Sequence, residues 1–272
     1  MADPDHLNTL QQGVDVWQAT GGGPLLSPAE APAGTERLPV KWVTAANAQD
    51  QPILMAIARP DGAGPFPVIV LLHGTHGFAH EYIRLAQELA QGGLIAVAAC
   101  WFSGGSGIGT RFVTPIECPQ IPLVSPTSPE AVARVATIIQ AARALPGARQ
   151  DGIALFGHSR GAGAATAYAM QSNGVRAIVL NSGGYPPEVT GRAAEIQAAI
   201  LMLHGVADGP ADGGSAITGV EMARDFEAAL RRAGKSVEAK YYKTGGHNSL
   251  FADPAQHRDE VRRILAFLRQ RM

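Results

Sequence analysis

The feature that most constrains the fold is an alternation, from Phe66 to the end of the chain, between short apolar runs and amphipathic stretches. The stretches repeat their apolar positions every three or four residues, as helices do. Strands that are apolar throughout are buried on both faces. The pattern therefore predicts an α/β fold, with a mostly parallel sheet that carries helices on both faces. The apolar runs are FPVIVLLH, LIAVAAC, GIALFG, RAIVLNS, AILMLHG and VEAKYYK.

The chain has 272 residues, a length that suits one domain with one large core. Residues 1–35 are rich in Gly, Pro and Ala, so we expect an N-terminal arm packed on the surface of a domain that spans residues 36–272. Two strand-like runs, PVKWVTAA and PILMAIARP, predict a hairpin ahead of the alternating region. Residues 101–127 form a long loop rich in Gly and Pro, and residues 183–198 leave no room for a large cap.

Charge and hydropathy exclude two classes of partner. The 22 basic and 23 acidic residues leave no excess of positive charge, so a nucleic-acid partner is not expected. No run approaches the length of a membrane span, so a membrane partner is not expected either. The first residues lack the basic and then apolar start of a secretory signal, which predicts a cytoplasmic protein, or a secreted one if a leader has been removed ahead of Met1.

Cys100 and Cys118 are the two cysteines of the chain, and their spacing is not that of a metal site. We expect two reduced thiols, because free cysteines are often simply buried. A single bridge across the intervening loop is the alternative. The sequence predicts no metal and no cofactor.

In the segment DGIALFGHSRGAGAATAYAM, polar residues separate a predicted apolar strand from a predicted helix. Ser159 stands between Gly157 and Gly161, and so tight a strand-to-helix turn closes only if its flanking residues lack bulk. Such a turn projects the hydroxyl above the sheet, beside the unpaired N–H groups of the helix. The pattern predicts a nucleophilic serine, with His158 in a packing or hydrogen-bonding role.

A serine nucleophile needs a base, and the base needs an orienting acid. Asp208 follows the strand AILMLHG, and His247 follows the last strand. The carboxyl ends of parallel strands share one edge of the sheet, so both side chains are expected near Ser159. Asp212 is the alternative acid, and His204 is interpreted as a structural residue at its strand end.

Two backbone N–H groups are expected to bind an oxyanion in this site. Arg160 follows the serine, and Thr75 follows the first parallel strand and its His73–Gly74 end. His76 is the alternative to Thr75. We interpret His73 as structural and expect the side chain of Arg160 to form at most a surface salt bridge.

The long loop is the candidate wall of a substrate pocket. It contains Trp101, Phe102 and Phe112, and we expect the first two, with His76, to contact an apolar part of a substrate. The alternative is that the aromatic side chains pin the loop to the core.

These motifs resemble the α/β-hydrolases, in particular their dienelactone hydrolase-like branch. The likeness covers roughly residues 39–272 and depends on GPFPVIVLLHGTHGF, GHSRG, LMLHGVADGPAD and GGHNSLF, in that order. The resemblance implies an eight-stranded, mostly parallel sheet with an antiparallel second strand and a catalytic domain without a large cap. Dienelactone hydrolases carry cysteine as the nucleophile, whereas this chain has Ser159, and GHSRG is also similar to the elbow of some esterases, chlorophyllases among them.

The motifs together predict a metal-free serine esterase that cleaves carboxylic esters through an acyl-enzyme. The expected partner is a small-molecule ester, and the oligomeric state stays open. Lactone, thioester and amide hydrolysis use the same machinery. A cofactor-free perhydrolase or haloperoxidase is a second possibility, and a non-catalytic binding protein is a third.

Overall fold

The computed structural model describes residues 26–46, 51–104, 110–212 and 214–272. Over these residues, nine strands form one sheet in the order β1-β2-β3-β5-β4-β6-β7-β8-β9. The strands are β1 (Leu26–Pro28), β2 (Lys41–Ala46), β3 (Pro52–Ala58), β4 (Phe66–Leu72), β5 (Ile95–Ala99), β6 (Ala148–His158), β7 (Ala177–Asn181), β8 (Ala199–Gly205) and β9 (Val237–Tyr242). The helices are α1 (His80–Gln91), α2 (Pro129–Arg143), α3 (Arg160–Gln171), α4 (Pro187–Thr190), α5 (Val220–Arg232), α6 (Ser249–Ala252) and α7 (Pro254–Arg271). Four short 3-10 turns cover Thr110–Phe112, Ala193–Glu195, Pro210–Asp212 and Ala216–Thr218.

The sheet is parallel from β5 through β4 to β9, while β1, β2 and β3 pair antiparallel. The hairpin predicted ahead of the alternating region is confirmed as β2 and β3. The prediction gave eight strands, and the additional one is β1, which lies within the predicted arm and pairs with β2. Residues 1–25 of that arm lie outside the described residues, so the division at residue 36 stays a prediction.

The two faces of β4 explain why its sequence is apolar throughout. Val68 and Val70 face a core that contains Val135 of α2, whereas Ile69 and Leu71 face a second core that contains Leu85 of α1. Successive side chains of a strand point to opposite faces, so a strand covered on both sides needs an apolar residue at every position. The predicted sheet with helices on both faces is therefore confirmed.

Several contacts hold the described parts of the long loop, residues 101–104 and 110–127. Ala79 and Pro115 form an antiparallel bridge, and the Ser103 hydroxyl donates to the carbonyl of Pro119 at 2.9 Å. A disulfide joins Cys100, directly after β5, to Cys118 in the loop. The expectation of two reduced thiols is therefore wrong, because the loop folds back and brings the two Cα atoms within 6.4 Å of each other.

The carboxyl ends of the six parallel strands, β4 to β9, lie along one edge of the sheet. Residues 182–198, between β7 and β8, hold only the short helix α4 and one 3-10 turn, so no large cap is inserted there. Among the described residues, no helix combines the length and the apolar character needed to cross a bilayer.

Candidate active site

Ser159 lies between the last residue of β6 and the first residue of α3, with φ 53° and ψ −116°. A positive φ is unusual for a residue with a side chain and marks stored backbone strain. A Cβ on Gly157 would meet the backbone of Gly161 and Ala162, and a Cβ on Gly161 would meet the carbonyl groups of Leu72 and His73. Both glycines are therefore required for the turn to close, as the sequence pattern predicts.

Ser159, His247 and Asp208 form one continuous chain of hydrogen bonds. Nδ1 of His247 lies 2.8 Å from Oδ2 of Asp208, and Nε2 lies 2.9 Å from Oγ of Ser159. A carboxylate can only accept, so Nδ1 carries the proton, and Nε2 of a neutral ring is free to accept from the serine hydroxyl. The three predicted residues are thus brought together from the ends of β6, β8 and β9.

The carboxylate of Asp208 is held by a second contact that the sequence did not suggest. Oγ1 of Thr218 donates to Oδ1 of Asp208 at 2.9 Å, and the side chain of the aspartate has no solvent exposure. A Cβ on Gly214 would meet that same Oδ1. The backbone of Asp212, the alternative acid, ends a 3-10 turn, and its side chain lies outside what the structure describes.

The two residues predicted to bind an oxyanion, Arg160 and Thr75, lie close to each other. Arg160 is the first residue of α3, so its N–H has no partner within the helix and lies at the positive end of the helix dipole. The guanidinium of Arg160 donates from Nε to Oγ1 of Thr75 at 3.2 Å and from Nη1 to the carbonyl of Val124 at 2.8 Å. The side chain therefore connects both predicted oxyanion donors with the long loop, which is more than the surface salt bridge expected from the sequence.

Three further histidines near the site are buried and hold backbone carbonyl groups. His73 donates to Gly74 at 2.9 Å, His158 to His247 at 3.1 Å, and His204 to Thr218 at 2.7 Å. Burial lowers the pKa of His73 to about 3, holds the pKa of His158 well below its usual range, and lowers the pKa of His204. Neutral rings in these positions fit structural roles.

The two side chains of the long loop that were predicted to contact a substrate are buried in the structure. Trp101 and Phe102 are each 0% exposed, and their rings pack edge to face at 4.5 Å. The indole N–H donates to the carbonyl of His73 at 3.0 Å. These contacts correct the prediction, because both side chains pin the loop to the core. His76 is 6% exposed and hydrogen-bonded to Tyr82, so its role toward a substrate stays a prediction.

Sequence reasoning missed Thr218 and Tyr82. The hydroxyl group of Thr218 contacts Asp208, at a separation of 10 residues, and that of Tyr82 contacts His158, at a separation of 76 residues; neither residue belongs to a motif. A search for polar residues near the strand ends would have suggested Thr218 only as one of several. Nothing in the sequence singles out Tyr82.

Comparisons with known proteins agree with this architecture. The sequence profile of the dienelactone hydrolase family matches residues 53–270, while a search of curated proteins found no match. One similar solved structure is that of a Klebsiella pneumoniae protein named as a dienelactone hydrolase. It is 21% identical with a TM-score of 0.66, and the alignment covers 90% of this chain and 99% of that one.

Two other solved structures are similar. The esterase Pf2001 of Pyrococcus furiosus is 14% identical with a TM-score of 0.69, and the alignment covers 90% of this chain and 100% of that one. A dienelactone hydrolase-like promiscuous phosphotriesterase from metagenomic libraries is 18% identical with a TM-score of 0.67, over 85% of this chain and 98% of that one. The TM-scores of these three structures show a shared fold, and the family profile covers most of the sequence. The chain belongs to the dienelactone hydrolase family and has the α/β-hydrolase fold.

Proposed function

We propose that the protein is a serine hydrolase that cleaves carboxylic esters through an acyl-enzyme. The observation that carries the proposal is the unbroken hydrogen-bond chain from Ser159 through His247 to Asp208. It begins at a strained turn that presents the hydroxyl beside a helix N-terminus. A serine activated by an oriented histidine, beside preorganised N–H donors, is suited to acyl transfer.

In the first half of the reaction, Oγ of Ser159 attacks the ester carbonyl carbon while Nε2 of His247 takes the hydroxyl proton. The carboxylate of Asp208 stabilises the positive ring. The carbonyl oxygen becomes an oxyanion, which accepts from the backbone N–H groups of Arg160 and Thr75. The C–O bond to the alcohol then breaks, the alcohol leaves with the proton from His247, and an acyl group remains on the serine.

In the second half, water enters and donates a proton to Nε2 of His247 as its oxygen attacks the acyl carbon. The tetrahedral intermediate uses the same two N–H donors. Its collapse returns the proton to Oγ of Ser159 and releases the carboxylic acid, so the enzyme is restored.

An ester is the substrate class that the chain itself favours. The family is named for a lactone hydrolase with a cysteine nucleophile, and this chain has a serine in that place, which is the pattern of serine esterases. The similar fold of the Pyrococcus furiosus esterase is consistent with this choice. The phosphotriesterase from metagenomic libraries makes phosphotriesters a useful second panel of substrates.

Turnover of p-nitrophenyl esters of graded chain length tests the proposal. Ser159→Ala should lower kcat by about 10⁴-fold or more, because the nucleophile is removed. Ser182→Ala is the matched control, because Ser182 also follows a parallel strand and also has a positive φ, of 47°. It should retain turnover. Equal activity of wild-type protein and Ser159→Ala would contradict the mechanism.

The same preparation separates the alternatives. Hydrolysis of anilides or thioesters, but not of esters, would change the proposed substrate class and leave the proposed triad unchanged. Peracid formed from a short carboxylic acid and hydrogen peroxide, without ester turnover, would favour a perhydrolase. An inert wild-type protein that binds esters would favour a non-catalytic role.

The cytoplasmic location predicted from the sequence stays a prediction. The disulfide between Cys100 and Cys118 favours its alternative, a secreted protein, because the cytosol keeps most thiols reduced.

A further inference from the structure

Tyr82 lies behind the candidate active site, in the first turn of α1, and is 1% exposed. Its phenol oxygen lies 2.9 Å from the backbone nitrogen of Gly74, 2.7 Å from Nε2 of His76 and 3.0 Å from Nδ1 of His158. A hydroxyl can donate one hydrogen bond and accept two, so these three partners use its full capacity. One oxygen atom thus connects the loop after β4 with the last residue of β6.

We propose that Tyr82 is a positioning residue for the reaction, and that its hydroxyl fixes both the N–H of Thr75 in the oxyanion hole and the backbone of His247. This inference rests on the proposed function, since it concerns the same acyl-transfer site. Tyr82 touches neither the substrate nor the reacting atoms. It acts through Gly74 on one side and through His158 on the other.

The donors and acceptors in this cluster allow one arrangement. Nε2 of His158 faces the carbonyl of His247 at 3.1 Å and must donate to it. Nδ1 of the neutral ring is then an acceptor, so the hydroxyl of Tyr82 donates to it. The hydroxyl has no second proton, and therefore Nε2 of His76 and the N–H of Gly74 both donate to Tyr82.

Burial keeps this arrangement unchanged over a wide pH range. Desolvation, with the nearby His247 as a smaller cause, holds the pKa of His158 well below its usual range and lowers the pKa of His76 to about 4. Desolvation raises the pKa of Tyr82 well above its usual value. Neutral groups with fixed protons form a rigid network, which is what positioning requires.

On the side of the oxyanion hole, Tyr82 holds the N–H of Gly74, and two further contacts hold the carbonyl of the same residue. The carbonyl of Gly74 accepts from Nδ1 of His73 at 2.9 Å and from the N–H of Gly77 at 3.0 Å. That carbonyl and the N–H of Thr75 belong to the same planar peptide group. The N–H of Gly74 belongs to the preceding peptide group, so Tyr82 holds one end of Gly74 while His73 and Gly77 hold the other. The direction of the Thr75 N–H is thus restrained from both ends of Gly74.

On the side of the base, His158 anchors the backbone of His247, whose ring must reach both Ser159 and Asp208. The ring of Phe251 packs edge-on against Tyr82 at 5.1 Å and against His158 at 5.0 Å. A phenylalanine in place of Tyr82 would keep this packing and lose only the hydrogen bonds. Tyr82→Phe therefore separates positioning from packing.

The experiment compares Tyr82→Phe with Tyr185→Phe and the wild-type protein in p-nitrophenyl acetate hydrolysis. Tyr185 is the matched control, because it is also 1% exposed and its hydroxyl has no hydrogen-bond partner among the described residues. Active sites are counted from the burst of p-nitrophenol, so kcat refers to folded enzyme only. Tyr82→Phe should lower kcat by about 10- to 100-fold with KM within about twofold, since an oxyanion donor acts mainly in the transition state. Tyr185→Phe should match wild type.

Each outcome separates the inference from the proposed function. If wild-type protein turns over the ester and Tyr82→Phe matches Tyr185→Phe, the inference is overturned and the proposed function stands. An inert wild-type protein overturns both. A rise in KM without a change in kcat would also overturn the inference, because it would indicate a role in binding rather than in positioning.

A measurement on the wild-type protein covers the case in which Tyr82→Phe fails to fold. Nitrogen-15 NMR of the histidine rings reports which nitrogen carries the proton. The inference requires neutral His158 and His76, both protonated on Nε2, between pH 6 and pH 9. Protonation on Nδ1 of either ring would overturn it.

Discussion

At the scale of single residues, Glu260 of α7 carries a carboxyl group that is fully buried. Oε2 accepts from Nδ2 of Asn181 at 2.6 Å, and Oε1 accepts from Nε2 of Gln256 at 2.7 Å. Burial outweighs these two hydrogen bonds and raises the pKa of Glu260 to about 8. The carboxyl group is therefore neutral at neutral pH in the folded protein, whereas it is ionised in the unfolded chain.

This difference makes stability depend on pH. Because the pKa of Glu260 is higher in the folded protein than in the unfolded chain, its contribution to the free energy of unfolding is complete below the unfolded-state pKa. This contribution is lost as pH rises to the folded-state pKa. Glu260→Gln should keep a neutral group in the same place. The free energy of unfolding of wild type, relative to Glu260→Gln, should fall by about 1.4 kcal/mol per pH unit between pH 5 and pH 8 and then level off.

Urea denaturation at several pH values measures this difference. Glu188→Gln, at an exposed carboxyl group, is the control and should follow the wild-type slope. A relative stability of Glu260→Gln that stays constant from pH 5 to pH 9 would show that the carboxyl group does not change its ionisation over this range.

At the scale of elements, the long loop after β5 depends on one covalent link. The disulfide closes a loop with a sequence separation of 18 residues, which restricts the unfolded chain. Cys118→Ala should lower the free energy of unfolding by about 3 kcal/mol, by the entropy of loop closure. Urea denaturation with and without dithiothreitol measures the effect.

The reductant provides the internal control for this variant. Dithiothreitol should destabilise wild type by a similar amount and leave Cys118→Ala unchanged. Two free thiols in the unreduced, denatured wild-type protein would contradict the pairing, as would a wild-type stability that dithiothreitol does not alter.

At the scale of the whole molecule, the sequence predicts the sheet and the meeting of Ser159, His247 and Asp208. Both follow from short-range rules: apolar strands define a covered sheet, and the carboxyl ends of parallel strands share one edge. The need for Gly157 and Gly161 can also be predicted from the sequence, because the geometry of a tight strand-to-helix turn excludes a Cβ at these positions.

What the sequence could not predict depends on the paths of loops and on contacts between distant residues. The pairing of Cys100 with Cys118 depends on how the loop folds back, and the burial of Trp101 depends on the same path. The strand beyond the eight expected, β1, is a three-residue run in a segment whose composition predicts an arm. The hydroxyl of Tyr82 meets His158 only because the fold brings the first turn of α1 to the end of β6.

The central claim is that Ser159, activated by His247, is the nucleophile. Labelling with a fluorophosphonate, followed by tryptic digestion and mass spectrometry, tests it most directly. Cleavage after Arg149 and Arg160 releases residues 150–160, a peptide whose single serine is Ser159. One phosphonyl group should appear on that serine, with loss of ester turnover in proportion to labelling. A label on another peptide, or full turnover after complete labelling of Ser159, would contradict the claim.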